Sequence, residues 1–150
     1  MSMGSMPNLT QGEADGLLAV RKMFEDKTAI IMNRPYREER KIISAVNNSD
    51  IFYLNMTETA IEFGKYSLNN RYFQTPLVRV CIDSSAVHEN PDGTLIKGSH
   101  IHLYKESYGD KFATDLRIAN IDGTTPVQVL GQFLRFCNIE DIEIQNQERL

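Results

Sequence analysis

The chain has 150 residues, 41% of them hydrophobic, and a formal net charge of -4, which fits one domain with one core and excludes a disordered protein. The acidic balance argues against bulk, sequence-independent nucleic-acid binding, which needs concentrated positive surface, but leaves room for a small basic cleft. No run reaches the roughly 18 apolar residues of a transmembrane span, and the N-terminus lacks the charged-then-apolar order of a secretory signal.

Residues 1–10 read as a flexible leader and residues 11–150 as a single α+β domain. Thr10 and Glu13 have the spacing of a capping box ahead of a helix with apolar positions Leu17, Leu18, Val20, Met23 and Phe24. Gly12 and Gly16 each weaken that helix by about 1 kcal/mol. Ile30, Ile31 and Met32 fit either the helix end or a short strand. NRPY (33–36) is a turn, because Pro35 restricts Arg34 and donates no hydrogen bond. ERKIISAV (39–46) and IFYLNM (51–56) then form a hairpin around the turn-prone NNSD (47–50).

A second pair follows. AIEFGKYSL (60–68) alternates, with Ile61 and Phe63 on one face, and NNRYFQTP (69–76) reads as the link to LVRVCIDS (77–84). In that strand Leu77, Arg79 and Cys81 share one face, while Val78, Val80 and Ile82 share the other. The Val-Val-Ile face is the core face, so Arg79 points to the less buried side. ENPDGTLIKG (89–98) is a long turn around Pro91-Asp92-Gly93. SHIHLYKE (99–106) resumes the sheet, and KFATDLR (111–117) fits no single element. Thr125 caps and Pro126 starts the strongest helix, with Val127, Leu130, Phe133, Leu134 and Cys137 as its apolar stripe. Ile142 and Ile144 mark a short edge strand. The expected fold is a curved antiparallel sheet of five or six strands with N- and C-terminal helices packed on it. Cys81 and Cys137 sit in apolar runs and read as buried thiols of a cytoplasmic protein.

The three histidines fall within residues 88–102. A period of two puts His100 and His102 on one strand face, with Ile101 and Leu103 looking into the core. Tyr104 continues the histidine face, and Arg79 approaches if the flanking strands pair. Three chemistries fit. His100 and His102 with His88, or with a carboxylate, supply a zinc or other transition-metal site. Alternatively, a histidine pair serves as base and acid in metal-independent RNA cleavage, with Arg79, Lys105 or Lys111 stabilising the phosphorane and Tyr72, Tyr104 or Tyr108 contacting base or phosphate. In the third, the histidines simply fix a loop, with Asp83 or Asp92 as acceptors.

The stretch LVRVCIDSSAVHENPDGTLIKGSHIHLYKESYGDKFA (77–113) resembles the central block of a family of small bacterial and phage proteins with no established activity. The resemblance spans about residues 37–140 and rests on Arg79, HENPDG (88–93) and the HIHLYKE-YGDKFA segment. Cargo of mobile elements is what the resemblance implies, with toxin-antitoxin or defence roles by association. The leading expectation is a small cytoplasmic protein acting on RNA, a metal-independent toxin-type endoribonuclease. Its catalytic set is His100, His102, His88, Arg79, Lys105 and Tyr104. One rival is a non-enzymatic acidic protein that binds a host or antitoxin protein; the other is a metal-binding hydrolase. The expected partners are RNA or such a protein, and no membrane.

Overall fold

The structure is a computed structural model that describes residues 8–58 and 64–146. Ile61 and Phe63, and all of the leader before Asn8, lie outside the described residues. Helix α1 (Gln11–Ala19) has the capping box read from the sequence, with the Glu13 amide donating to Thr10 Oγ1 at 3.1 Å and the Thr10 amide to Glu13 Oε1 at 2.9 Å. It stops earlier than its apolar spacing predicts. Met23 and Phe24 belong instead to strand β1 (Lys22–Phe24), whose burial alternates with period two. Lys22 is the reason. Its buried ammonium donates to Leu18 O at 2.7 Å, Val20 O at 2.9 Å and Cys137 O at 2.7 Å, taking carbonyls that the end of a helix leaves without partners.

Strands β2 (Ile30–Met32), β3 (Arg37–Ser44), β4 (Ile51–Glu58), β5 (Tyr66–Tyr72) and β6 (Thr75–Ile82) follow. Next come β7 (Val87–Glu89), β8 (Leu95–Lys97), β9 (His100–Leu103) and β10 (Ala113–Thr114). A 3-10 turn (Leu116–Ala119), helix α2 (Pro126–Phe136) and strand β11 (Ile144–Asn146) complete the chain. The main sheet runs β1-β3-β4-β5-β6-β9-β10, with every pairing antiparallel. It has seven strands rather than five or six. The additional strands are its short edges: β1 came from the supposed helix end and β10 from the ambiguous KFATDLR stretch. β11 pairs in parallel with β2 in a separate ribbon.

Two turns move. Asn69–Tyr72 stay in β5, paired to β4, so the β5–β6 loop is only Phe73-Gln74, with Phe73 at φ 49°. Cross-strand hydrogen bonds from Arg71 Nε to Asn55 Oδ1 (3.0 Å) and from Arg71 to Glu39 hold this strand end, overriding the turn tendency of the paired asparagines. In ENPDGTLIKG only residues 90–94 turn; Leu95–Lys97 return as β8 against β7.

One sheet face forms the core. Phe52, Leu54, Met56, Leu68, Val78, Val80 and Ile101 are each no more than 2% exposed and pack with Leu130, Phe133, Leu134 and Cys137 of the α2 segment. The α2 stripe is as expected, except that Val129 is buried and Val127 only partly so. Truncating Phe133 would cost about 3–5 kcal/mol. The opposite face carries Glu39, Tyr53, Asn55, Asn69, Arg71 and Arg79, all half-buried or exposed.

Candidate metal centre

The register of β6 with β9 places Arg79 beside His102 and Cys81 beside His100. Both pairs lie on the sheet face opposite the core, because Val80 and Ile101, the pair between them, are fully buried. The chain then folds back over this face. In the β7–β8 hairpin, His88 pairs with Ile96, and its outward neighbours Val87 and Glu89 are exposed while His88 is half-buried. The three imidazoles therefore converge: ring centroids are 4.8 Å apart for His88 and His102, 4.8 Å for His100 and His102, and 5.7 Å for His88 and His100.

The histidine face was expected to look outward or into a cleft. His100 is 5% and His102 2% exposed, because the hairpin and the 105–112 loop cover them. Asn90 clamps that cover. Its Nδ2 donates to Ala113 O at 3.0 Å, and its Oδ1 accepts from the Ala113 amide at 2.8 Å, so the side chain acts as a short strand partner for β10. The Gly98 amide closes the other end of the hairpin on Ala86 O at 2.8 Å.

Hydrogen bonds set the tautomers. His88 Nε2 donates to Lys111 O at 2.9 Å and His100 Nδ1 to Gly98 O at 2.8 Å, since a carbonyl only accepts. In the neutral rings His88 Nδ1 and His100 Nε2 then carry the lone pairs. His102 Nδ1 is buried with no partner, an arrangement that costs free energy unless something binds there. Burial pushes the His102 pKa down to about 4, helped by the charges of Arg79, His100 and His88, with the Asp110 main chain opposing. At pH 7 this ring is neutral, the form that ligates a metal and not the form that donates a proton.

The ligand atoms that come together are those of Cys81, His100 and His102, all within 4.8 Å of one another. Sequence reading missed Cys81 and placed His88 in its position. His88 Nε2 is engaged by Lys111 O, leaving the ring beside the cluster rather than in it. The missed signal was present in the alternation that put Cys81 on the face of Arg79, away from the core. Burial pushes the Cys81 thiol pKa up, against the lowering effect of Arg79, whose Nη1 lies 3.1 Å from Sγ. A bound metal ion would deprotonate that thiol.

Of the remaining predicted residues, only the Arg79 side chain borders the cluster. Arg79 is held by Asp110 at 3.2 Å. Lys105 lies over the Phe112 ring at 4.5 Å. Tyr104 donates to Leu9 O at 2.7 Å, Tyr72 to Asp50 Oδ1 at 2.8 Å, and Tyr108 packs edge-on against Phe112 at 5.1 Å. Lys111 contributes its carbonyl. Asp83 and Asp92 accept from Ser85 and Thr94 within their own turns and not from the histidines.

Residues 9–139 match the model of a family of unknown function, DUF6978. The chain belongs to that family. The match spans the whole block from Arg79 to Ala113 that carries the histidines. No curated protein and no solved structure matches this DUF6978 member. Among the described residues no helix is long and apolar enough to cross a membrane.

Proposed function

We propose that this protein binds a zinc-class transition metal through Cys81, His100 and His102 and uses it for metal-assisted hydrolysis. The observation that carries this reading is the convergence of one sulfur and two nitrogen ligand atoms within 4.8 Å. Mixed thiolate and imidazole donors suit zinc, and three protein ligands with a fourth position left to water is the pattern of catalytic rather than closed structural sites. The buried, unpartnered His102 Nδ1 fits a ligand role, and the His100–Gly98 bond is the outer-shell contact that orients a ligating ring.

When bound, such an ion lowers the pKa of water and polarises a substrate oxygen. This chain's residues orient and move protons around it. Arg79, fixed by Asp110, holds positive charge beside the cluster. His88 is half-buried at its edge, and its bond to Lys111 O leaves Nδ1 free to accept a proton. The metal-independent reading fares less well, because Lys105 and Tyr104, two members of its catalytic set, are engaged elsewhere, over the Phe112 ring and on Leu9 O.

Cobalt substitution tests the reading. Cobalt should bind with a thiolate-to-metal absorption band that disappears in Cys81→Ser. Added azide should shift the spectrum by taking the open position. A cobalt spectrum insensitive to azide would reject hydrolysis and leave a closed structural ion.

A further inference from the structure

β5 borders the metal cluster on the side away from β9. In register, Ser67 lies beside Cys81 and Asn69 beside Arg79. Cys81 and Arg79 are half-buried, whereas His100 and His102 on the next strand are buried under the hairpin. The less buried side of the cluster is therefore the one that borders β5. The same face continues outward in register, with Asn55 beside Asn69, Tyr53 beside Arg71, and Lys41 beside Tyr53.

The charge on this face runs against that of the molecule. Its strand residues include Arg37, Lys41, Arg71 and Arg79; Glu25, Glu39 and Asp110 pair with the last three, which leaves one cation unmatched on this face in a chain of net charge -4. Arg71 lies 4.5 Å from the Tyr53 ring centroid, stacked as a cation on an aromatic face. It also bonds Glu39 at 2.8 Å. Lys41 pairs loosely with Glu25 at 3.4 Å, and Arg37 is exposed and makes no ion pair among the described residues. Asn69 Oδ1, between Asn55 and Arg79, has no partner.

We propose that this sheet face binds a single-stranded nucleic acid and that the strand's phosphodiester meets the metal cluster from the β5 side. The binding stands on the face itself; the cleavage rests on the metal-hydrolase reading above. Unpaired bases stack on tyrosine rings and guanidinium planes, and phosphates take the cations, whereas a duplex presents no free base faces to a sheet. The reaction is hydrolysis. Water oxygen bonds to phosphorus, the bond from phosphorus to the leaving sugar oxygen breaks, and the water's proton ends on that oxygen.

The test is fluorescence anisotropy with labelled oligonucleotides of about a dozen nucleotides: one RNA, one DNA of the same sequence, and their duplex counterparts, at low salt. Single strands should bind better than duplexes, and a preference between RNA and DNA identifies which source the face reads. Arg37→Glu combined with Lys41→Glu should weaken binding about tenfold or more and flatten its salt dependence, with metal content unchanged. Arg37→Glu alone, at an exposed position, should give a smaller loss in the same direction and guards against misfolding of the double variant. No binding of either single strand, or binding indifferent to both variants, would overturn the proposal. Single-strand binding by a protein that takes up no metal would keep the face and sink the metal reading; metal uptake without single-strand binding would do the reverse.

Discussion

Replacing Asn90 with alanine should loosen the cover of the histidine cluster without touching the cluster itself. Asn90 is 6% exposed and Ala113, its partner, 5%. Two hydrogen bonds are lost, one at 3.0 Å and one at 2.8 Å. Each contributes about 0.5–1.5 kcal/mol net, and a backbone amide or carbonyl left buried and unpaired costs about 1–3 kcal/mol. Because the freed hairpin can admit water to Ala113, the expected global loss is about 2–4 kcal/mol. Urea denaturation reads that loss as a lower midpoint at unchanged slope. Amide exchange reads its location, with the Ala113 amide and the β7–β8 hairpin losing protection before the β3–β6 centre. Asn90→Asp keeps the acceptor for the Ala113 amide but turns the donor toward Ala113 O into a second acceptor, so it should fall between wild type and alanine at low pH and approach alanine at neutral pH. A loss of stability under about 0.5 kcal/mol with the Ala113 amide still protected would refute the clamp.

Lys22→Met should destabilise by about 3 kcal/mol, since it strips one buried and two part-buried carbonyls of their shared donor; a thermal melt checks it. Burial lowers the Lys22 pKa to about 8. Because the folded value lies below the unfolded one, the unfolded chain holds the extra proton between these two values, and this group's contribution to stability rises with pH across that window. A carbon NMR titration of Lys22 Cε should show its midpoint near 8 rather than near that of an exposed lysine. Gly123→Ala should destabilise by about 1–3 kcal/mol, because the added Cβ would come within 2.7 Å of Gln128 Cβ and 3.1 Å of its carbonyl carbon; urea denaturation measures it. His88→Ala should leave metal stoichiometry intact while His100→Ala abolishes it, as read by calorimetric zinc titration, since only His100 belongs to the convergent set.

Where local chemistry decides the structure, the sequence was a sufficient guide. The Thr10–Glu13 box, the Thr125–Pro126 helix start and the NNSD turn of the β3–β4 hairpin each involve neighbours a few residues apart. The misses have distant partners. A lysine reads as exposed, and nothing near Lys22 announces that its acceptors include Cys137 O across the fold. Asn90 reads as a turn residue and is one, but its side chain also pairs with Ala113. Strand parity placed Cys81 and Arg79 on the correct face, yet parity gives side and not depth. It could not say that a hairpin would fold back to bury His100 and His102, or that register would set a thiol beside them. The histidine clustering was legible; the identity of its third ligand depended on a strand pairing that only the fold supplies.

The most direct test is elemental analysis of the untagged, wild-type protein beside Cys81→Ser and His100→Ala, each after refilling with zinc and exhaustive dialysis. About one zinc per chain is expected in the wild type and a clear loss in both variants, with all three proteins folded. A folded wild type that retains no metal, or variants that retain as much as wild type, would contradict the metal assignment.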